Sequence, residues 1–270
     1  MVKRLEWTDE LIARFWDGVA ETPLGDQLSF AGSGAAAIAD IAAHFIADGA
    51  LCLDFGGGNG ELCEELLARG YRAGIFEPSG GRGGVAGHRL DGRAGFLGFN
   101  QNADETLYDA VFCLEVFEHV PEPVMPAFLA QLSGLVRPGG TLLLTTPHRE
   151  NLDANGVYCP NCDSYFHRWQ HLRSVAPEEV LSAFAEYGFN CRWLGLVGFE
   201  QPAEVARFAR GGLRVPWWRR LARWARDDVG LPLPGAPKSL LAGVHAVDIT
   251  LGSESNIIYV GERQSEADIG

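Results

Sequence analysis

The chain has 270 residues, of which 47% are hydrophobic, and it carries a formal net charge of −13 at pH 7. This length and composition support one large folded domain with a sizeable core, and the acidic charge argues against nucleic-acid partners because a phosphate backbone repels an acidic surface. The first residues lack the apolar core of a signal peptide and no run approaches 18 apolar residues, so we expect a cytoplasmic protein without a membrane span.

The first half of the chain alternates helical and strand patterns. Thr8 is followed by two acidic residues, which is typical of a helix start. The hydroxyl can cap the first turn, and the negative side chains interact favourably with the positive end of the helix dipole. The apolar run LCLDF leads into GGGNG and then into helical apolar spacing, which predicts a strand, a tight turn and a helix. Helices are expected from Thr8, over 35–46 and after residue 60, and strands over 51–55, 71–77, 94–99 and the first half of 108–120.

The second half continues this alternation. Helices are expected over 123–136 and over 177–189 with an exit at Gly188, and strands after the turn at Gly139-Gly140, over 190–199 and over 256–263. Seven strands alternating with helices imply an α/β fold with a mainly parallel sheet and helices on both faces. We expect a single domain with its core at about 35–200 and 255–263, an irregular Cys/His loop at 148–176 and an Arg/Trp-rich helical insertion at 200–250 before the last strand.

A glycine turn follows the first strand of this sheet. In an open α/β sheet the ligand lies beyond the carboxyl ends of the strands, so Gly56, Gly58 and Gly60 would let the backbone approach it closely. Glu77 follows the second strand, where a carboxylate can accept both ribose hydroxyls of an adenosine. Glu61 stands where a dinucleotide fingerprint has its third glycine, which disfavours a nicotinamide cofactor. The alternative is a purely structural turn with a solvated Glu77.

Four ordered motifs resemble the class I S-adenosylmethionine-dependent methyltransferases, close to the ubiquinone-biosynthesis O-methyltransferase type: LDFGGGNGELCEEL, GIFEPS, YDAVFCLEVFEHV and LVRPGGTLLLTTP. The resemblance covers roughly 35–200 and the closing strand, and it implies a Rossmann-like fold and S-adenosylmethionine as cofactor. The usual acid for the adenine is missing after the third strand, so Asn100 is the predicted substitute. The cofactor-binding residues implied in this way are Asp54, Gly56, Gly58 and Gly60 for the methionine end, Glu77 for the ribose, and Pro78, Asn100, Leu114 and Glu115.

Two histidines are the candidate catalytic residues. A sulfonium methyl group is already electrophilic, so the protein mainly aligns the acceptor and supplies a base if the acceptor is a hydroxyl. His119 and His148 follow the fourth and fifth strands, at the end where the cofactor would lie. The alternative for His119 is to cap the following turn. The resemblance favours methylation of an oxygen in a small molecule, glycan or lipid-linked intermediate; the alternatives are a nicotinamide-dependent oxidoreductase and a non-catalytic binding protein on the same fold.

The segment CPNCDSYFHRWQH has the spacing of a metal site. Cys159, Cys162, His167 and His171 offer two thiolates and two imidazoles, which is the ligand set of a closed tetrahedral zinc site. A metal ion would also offset the entropy lost when a long loop becomes ordered. We therefore predict Zn²⁺ at these four residues; the alternative is that the cysteines are incidental and the histidines bind substrate.

A rival metal assignment uses the E-x-x-E-H pattern after the fourth strand. The pattern resembles plant small-RNA 2′-O-methyltransferases, in which such residues and a later histidine hold Mg²⁺ beside the acceptor hydroxyls. By that resemblance the ligands here would be Glu115, Glu118, His119 and His171. His171 cannot serve both sites, and thiolates suit Zn²⁺ whereas oxygen ligands suit Mg²⁺.

The insertion before the last strand is the one strongly basic segment. Seven arginines and no acidic residue lie between Ala206 and Arg226. Three interpretations remain open: a lid packed on the domain, a helix at 214–226 that rests on an anionic membrane, and a clamp for a phosphate or carboxylate of the acceptor. The sequence makes no prediction about the oligomeric state.

Overall fold

A computed structural model of the chain describes residues 2–23, 25, 30–102, 106–200, 202–213 and 250–265. The segment 214–226, with its three interpretations, lies outside these ranges. Within the described ranges, no helix combines the length and the apolar character that crossing a bilayer requires.

Helices and strands alternate over most of the described chain. The helices are α1 (Asp9–Ala20), α2 (Ala31–Ala42), α3 (Glu61–Ala68), α4 (Gly80–Leu90), α5 (Met125–Leu135), α6 (Pro177–Glu186) and α7 (Pro202–Arg210). The strands are β1 (Lys3–Arg4), β2 (Leu51–Phe55), β3 (Arg72–Phe76), β4 (Phe96–Asn100), β5 (Tyr108–Leu114), β6 (Val136–Pro147), β7 (Gly156–Cys159), β8 (Ser164–His167), β9 (Phe189–Val197), β10 (Thr250–Leu251) and β11 (Asn256–Arg263). Short 3₁₀ turns cover Phe117–His119, Glu122–Val124 and Leu152–Asn155.

The main sheet has the strand order β10-β9-β11-β6-β5-β2-β3-β4. Strands β2 to β6 pair in parallel with their neighbours among themselves, whereas β11 lies antiparallel between β6 and β9. The seven longer strands confirm the predicted, mostly parallel sheet, and the two-residue β10 adds an edge strand beside β9. A second, three-stranded sheet has the order β1-β8-β7.

Both faces of the main sheet are buried under helices. Along β5, Val111 and Cys113 belong to one apolar layer, whereas Ala110 and Phe112 belong to the other. Helices α2, α3, α4 and α7 cover the Phe112 side, and α5 and α6 cover the Val111 side. This double burial explains why the central strands read as continuous apolar runs instead of alternating ones.

The parallel strands bring the predicted site residues to one edge of the sheet. Strands β2, β3, β5 and β6 run in the same direction, so their carboxyl ends lie side by side. The chain just beyond these four ends carries Gly56, Glu77, Glu115 and His148.

Two local predictions need correction. Helix α2 starts and ends earlier than the predicted 35–46, and its first turn has no side-chain cap that the sequence could have signalled. The predicted irregular loop at 148–176 contains the β7–β8 hairpin. Strand β8 pairs with β1 through Lys3 and Ser164, a contact between distant segments that no local pattern indicates.

Candidate functional site

The turn after β2 has glycine where the backbone requires it. Gly56, Gly58 and Gly60 have φ angles of +76°, +52° and +79°, a region that side chains rarely adopt. A Cβ on Gly58 would come within 2.5 Å of Arg82 Nη2, and a Cβ on Gly56 would come within 2.6 Å of Val116. The glycines therefore allow the turn and let Val116 and Arg82 pack directly against its backbone.

Glu77 follows β3 and is oriented by two backbone donors. Its Oε2 accepts a hydrogen bond from the Gly58 N–H at 3.0 Å, and its Oε1 accepts one from the Ser79 N–H at 3.0 Å. The residue is buried, with 6% of its surface exposed, at the wall of a cavity of about 690 Å³ that Pro78 also lines. Each carboxylate oxygen can accept a further hydrogen bond.

Asp54 lies near the end of β2, against the glycine turn. Burial raises the pKa of its carboxyl to about 7; the charge of Glu61 adds to this increase, while the Cys63 N–H opposes it. Its Oδ2 is buried without a hydrogen-bond partner in the described part of the chain. A buried carboxyl with an unused oxygen is suited to accept a hydrogen bond from a ligand.

A cleft of about 530 Å³ opens beside the glycine turn and adjoins the cavity at Glu77. Trp16, Gly56, Arg82, Glu115 and His119 border both spaces. The cleft brings together most of the predicted site residues: Asp54, Gly56, Gly58, Leu114, Glu115, His119, His148 and His171.

Two predicted cofactor residues border neither space. Gly60 faces the core, where a Cβ would come within 2.9 Å of Ile75. Asn100 is exposed at the end of β4, and its carbonyl accepts a hydrogen bond from the Glu77 N–H at 3.1 Å. Asn100 therefore supports the backbone of Glu77, and its contact with adenine stays a prediction.

The two candidate catalytic histidines differ in their surroundings. His148 follows β6, and its Nδ1 lies 2.9 Å from the Glu254 carbonyl oxygen. A carbonyl can only accept, so His148 has its ring proton on Nδ1 and a lone pair on Nε2. His119 is partly buried, and this burial together with the nearby His171 lowers the pKa of His119 to about 3. His119 is consequently uncharged at neutral pH.

Glu118 is buried and forms a cluster with the partly buried His119 and His171. Its Oε2 accepts a hydrogen bond from the Thr146 hydroxyl at 2.9 Å, whereas its Oε1 has no hydrogen-bond partner among the described residues. That Oε1 lies 3.8 Å from His119 Nε2 and 3.9 Å from His171 Nε2. These distances are too long for hydrogen bonds. They are close to the separation between two atoms that bind the same metal ion, each at about 2.1 Å from it. Three of the four residues predicted for Mg²⁺ thus come together.

Glu115, the fourth residue of that predicted set, has other partners. Its two carboxylate oxygens each accept a hydrogen bond from the Asn256 amide at 3.1 Å. Its φ of +51° places a side chain in a strained backbone region, which is common at functional sites. Burial raises the pKa of its carboxyl to about 7, although the Thr145 hydroxyl and His171 oppose the increase.

A second group of possible metal ligands consists of Glu150, His167 and His171. Glu150 Oε1 lies 3.2 Å from His167 Nε2, and Glu150 Oε2 contacts His171 Nδ1. The two histidine rings stack with their centroids 4.4 Å apart and an interplanar angle of 23°. His171 therefore belongs to both groups, through opposite nitrogens of its ring.

The two cysteines lie apart from these histidines. Cys159 belongs to the tip pair of the β7–β8 hairpin and His167 to its base pair, so three residues of strand, about 10 Å, separate them. Neither Cys159 nor Cys162 joins a group of possible metal ligands within the described ranges. The structure therefore does not bring Cys159, Cys162, His167 and His171 together, because an ordered hairpin holds its tip away from its base, and the zinc site at these four residues stays a prediction.

Gln170 is a site residue that the sequence analysis missed. It is fully buried and has a φ of +60°. Its side chain accepts a hydrogen bond from the Trp16 indole N–H at 3.0 Å and donates one to the His119 carbonyl at 3.2 Å. No sequence signal marks it, since a glutamine in a polar loop is usually exposed.

Helix α1 covers the cleft through Trp16. The Trp16 ring meets the His119 ring edge to face at 5.0 Å, and the Arg82 guanidinium lies 5.1 Å from the indole. The sequence predicts this helix from the Thr8 cap, whose hydroxyl accepts a hydrogen bond from the Leu11 N–H. Its position over the site depends on tertiary contacts that the pattern does not contain.

Comparison with known proteins identifies the family. A family model described as a methyltransferase domain matches residues 32–193, which is more than half of the chain. The chain belongs to the class I S-adenosylmethionine-dependent methyltransferases. This methyltransferase is 31% identical over 214 residues to the ubiquinone biosynthesis O-methyltransferase of Paraburkholderia phytofirmans, covering 76% of the chain and 80% of the relative. It is 29% identical over 219 residues to the enzyme of the same name from Paraburkholderia xenovorans, covering 76% and 80%.

Solved structures share the fold of the methyltransferase. The 1,6-didemethyltoxoflavin-N1-methyltransferase of Burkholderia thailandensis, solved with S-adenosylhomocysteine, has a TM-score of 0.58 at 15% identity, covering 98% of this chain and 94% of that one. The cyclase SpnF has a TM-score of 0.57 at 14% identity, covering 97% and 99%. Likeness at such low identity concerns the fold alone, and a cyclase among these structures shows that the fold does not fix the reaction.

The pocket of the methyltransferase fits its cofactor. The glycine turn borders the cleft with backbone alone at Gly56 and Gly58, and the buried Oδ2 of Asp54, which lines the same cleft, has no partner within the described ranges. Family membership does not favour the nicotinamide-dependent alternative, in agreement with Glu61 at the place of a third fingerprint glycine.

Proposed function

We propose that the methyltransferase transfers a methyl group to an oxygen of a small molecule, a glycan or a lipid-linked intermediate. The observation that carries this proposal is that His119 and His148 border the same cleft as the glycine turn. A hydroxyl loses its proton on methylation and needs a base within reach. The relatives named as O-methyltransferases support oxygen as the acceptor atom.

We assign the cofactor-binding roles along the edge of the sheet. Asp54 would accept hydrogen bonds from the ammonium group of the methionine end, and the second lone pairs of Glu77 would accept the ribose hydroxyls. Leu114 and Glu115 would line the methionine side, and Asn100 would contact the adenine. When bound, S-adenosylmethionine supplies an electrophilic methyl group on its sulfonium, so the remaining task of the protein is to align the acceptor.

His148 is the better candidate for the base. Its Nε2 has a free lone pair because the Glu254 carbonyl holds the proton on Nδ1. His119 is a weak base, since its pKa is lowered to about 3 by burial and by His171. We therefore assign removal of the acceptor proton to His148 and not to His119.

We propose further that a divalent cation binds beside the acceptor at Glu118, His119 and His171. The unpartnered Oε1 of Glu118 supports this, because a buried carboxylate oxygen without a donor is suited to a cation. Two imidazoles and one carboxylate suit zinc or iron better than Mg²⁺, which prefers oxygen ligands. Such an ion would supply positive charge next to the acceptor.

Metal analysis of protein purified without a chelator tests the cation. We expect about one equivalent of metal in the wild-type protein and its loss in Glu118→Gln, because the amide removes the charged ligand. Equal metal content in both proteins would contradict the assignment. A wild-type protein without metal would contradict it as well.

We also propose a cytoplasmic location. All six cysteines are free thiols, which suits a reducing compartment. The membrane contact at 214–226 remains a proposal based on its arginines and tryptophans. Co-sedimentation with anionic liposomes tests it, and a protein that stays in the supernatant at low salt contradicts it.

Titration calorimetry with S-adenosylhomocysteine and with NADH tests the cofactor assignment. We expect binding of the first compound and no heat from the second. Glu77→Ala should weaken the affinity for S-adenosylhomocysteine at least tenfold, since charge-assisted hydrogen bonds contribute about 1.5–3 kcal/mol. Unchanged affinity would remove the ribose assignment.

Transfer of labelled methyl groups tests the acceptor atom and His148. Matched acceptors, such as a phenol and the corresponding aniline, distinguish oxygen from nitrogen. His148→Gln should lower kcat on the phenol by about 100-fold or more without changing the affinity for S-adenosylhomocysteine. His88→Gln, an exposed histidine on α4, is the control and should keep the wild-type rate. Transfer to the aniline alone would overturn the proposal.

A further inference from the structure

His171 presents its two ring nitrogens to two different carboxylates. Its Nδ1 contacts Glu150 Oε2, and its Nε2 lies 3.9 Å from Glu118 Oε1. An ionised carboxylate can only accept a hydrogen bond, so the short contact with Glu150 requires the ring proton on Nδ1. The lone pair of His171 is then on Nε2, which faces Glu118.

Glu150 is itself held in place. Its Oε1 accepts a hydrogen bond from the Asn155 amide at 2.9 Å and lies 3.2 Å from His167 Nε2. His167 Nδ1 accepts the backbone N–H groups of His171 at 3.1 Å and of Trp169 at 3.4 Å. Its ring proton must therefore be on Nε2, which lies near Glu150 but makes no hydrogen bond within the described chain. The backbone of the turn after β8 thus fixes His167, which lies against Glu150 and accepts the His171 N–H, and Glu150 orients the His171 ring.

His119 is oriented in the same sense. Its Nδ1 lies 3.4 Å from the Gln170 carbonyl oxygen, which can only accept, so its lone pair is on Nε2. That Nε2 lies 3.8 Å from Glu118 Oε1. Three lone pairs, from His119, His171 and Glu118, therefore converge on one point, and Glu118 Oε1 has no hydrogen-bond partner in the described chain.

The same contacts argue against a cation in the group of Glu150, His167 and His171. An ion there would need the Nε2 of His167 as a ligand, while the Nδ1 of that ring still accepts two backbone N–H groups. Such a ring would carry no proton on either nitrogen, and a neutral imidazole does not readily lose its last N–H proton. Glu150 and His167 are better suited to orient a metal ligand than to bind the metal themselves, since a metal-binding histidine usually donates its other N–H to a carboxylate.

We propose that Glu150 and His167 are positioning residues that fix His171 as the Nδ1–H tautomer, so that its Nε2 faces Glu118 and His119 as a cation ligand. The proposal rests on the cation proposed above. Glu150 and His167 both lie in the segment 148–176, so the β7–β8 hairpin supports the acceptor cleft.

Long-range ¹H–¹⁵N NMR of labelled, chelator-treated protein tests the tautomer without any metal. The spectra report which ring nitrogen of each of the seven histidines carries a proton, and His171→Gln identifies the signals of His171. We expect the Nδ1–H form in the wild-type protein at pH 8 and a shift towards Nε2–H in Glu150→Ala. Glu150→Gln should lie between them because the amide keeps one acceptor. Glu186→Gln, which changes an exposed carboxylate on α6, should match the wild-type spectrum.

Affinity for Zn²⁺, measured by competition with a chromophoric chelator, tests the consequence. Glu150→Ala should weaken it about 10–100-fold, the range known for residues behind metal ligands, and His167→Phe should weaken it by a smaller factor. The affinity for S-adenosylhomocysteine should stay within twofold in both variants, which checks the fold.

The outcomes separate this inference from the proposed cation. A wild-type protein that binds no Zn²⁺ contradicts the cation, and the NMR spectra still decide the role of Glu150. A His171 protonated on Nε2, or unchanged in Glu150→Ala, overturns the inference. It is also overturned if Glu150→Ala abolishes binding while Glu118→Gln retains it, because the ion would then lie beside His167.

Discussion

Asp54 and Glu77 are buried carboxyl groups at neighbouring strand ends, and their surroundings differ. Two backbone N–H groups hold Glu77, whereas Oδ2 of Asp54 has no partner within the described ranges. Burial therefore penalises the charged form of Asp54, whose pKa is raised to about 7. In the absence of a ligand, such a group destabilises the folded protein, and this is typical of residues at functional sites.

Replacing Asp54 by asparagine should stabilise the ligand-free protein, increasingly as pH rises. The folded pKa of about 7 lies above the unfolded value near 3.8, so the acid lowers the free energy of unfolding progressively between these values. Asn can still accept the Cys63 N–H. With about 1.4 kcal/mol per pKa unit, we expect a gain on the order of 2–4 kcal/mol at pH 8 and little at pH 4.

Urea unfolding of wild-type protein and Asp54→Asn at the two pH values measures this difference. The same variant should bind S-adenosylhomocysteine more weakly, because the ammonium group loses a charged acceptor. An equal change in stability at both pH values would contradict the raised pKa.

The places of the candidate cofactor residues could be predicted from the sequence because they depend on local patterns. Gly56, Gly58 and Glu77 follow directly after strands, and the direction of a parallel sheet brings those ends together. Glu150 and Gln170 could not be predicted, since each acts through partners fixed by the fold: His171 and His167 for one, and Trp16 and His119 for the other.

Helix α4 begins three residues after Glu77 and contains an unusual number of glycines. Gly83 packs so closely on β4 that a Cβ would lie 1.9 Å from the Phe99 ring, whereas Gly84 has no atom within 4 Å of that position. The helix carries Arg82 towards Gly58. Its close approach to the sheet therefore depends on one missing side chain.

Alanine at these two adjacent positions should change stability in opposite directions. Gly84→Ala should raise the free energy of unfolding by about 0.5–1 kcal/mol, because alanine loses less backbone entropy in a helix. Gly83→Ala should lower it by about 1–3 kcal/mol through overpacking against Phe99. Denaturant titration of both variants provides the test, and a gain in both would show that β4 can move aside.

The β7–β8 hairpin explains why the four predicted zinc ligands do not lie together in the structure. The spacing of Cys159 to His171 suits a metal if the chain folds back as an irregular loop. In the structure, Gly156–Cys159 and Ser164–His167 instead form two paired strands. Sequence spacing gives distance along the chain, and an extended strand converts three residues into about 10 Å. His167 and His171 instead lie against the Glu150 carboxylate, which the sequence did not indicate as a partner.

A double replacement of Cys159 and Cys162 by serine therefore should leave the cleft unchanged. We expect Zn²⁺ affinity and S-adenosylhomocysteine affinity within about twofold of wild type, since neither thiol belongs to a ligand group in the described chain. Calorimetry with both ligands measures this. A loss of Zn²⁺ binding as large as in Glu118→Gln would restore the four-residue site.

Across the whole molecule, the sequence predicted the main sheet and missed how the amino-terminal segment is placed. Alternating local patterns are enough to predict β2 to β6, β9 and β11 in order. The contacts of Leu5 with Tyr165, of Trp7 with Phe166 and of Trp16 with Gln170 join parts of the chain that only folding brings together. These contacts bind α1 and the hairpin to each other and complete the wall of the cleft.

The place of Trp16 gives the protein a natural fluorescent reporter. Its indole borders both the cleft and the cavity at Glu77, and it lies 5.1 Å from the Arg82 guanidinium and 5.0 Å from the His119 ring. Emission from this one of the seven tryptophans will respond when either space fills, without an added dye. Trp16→Phe, measured beside the wild-type protein, isolates that signal from the other six.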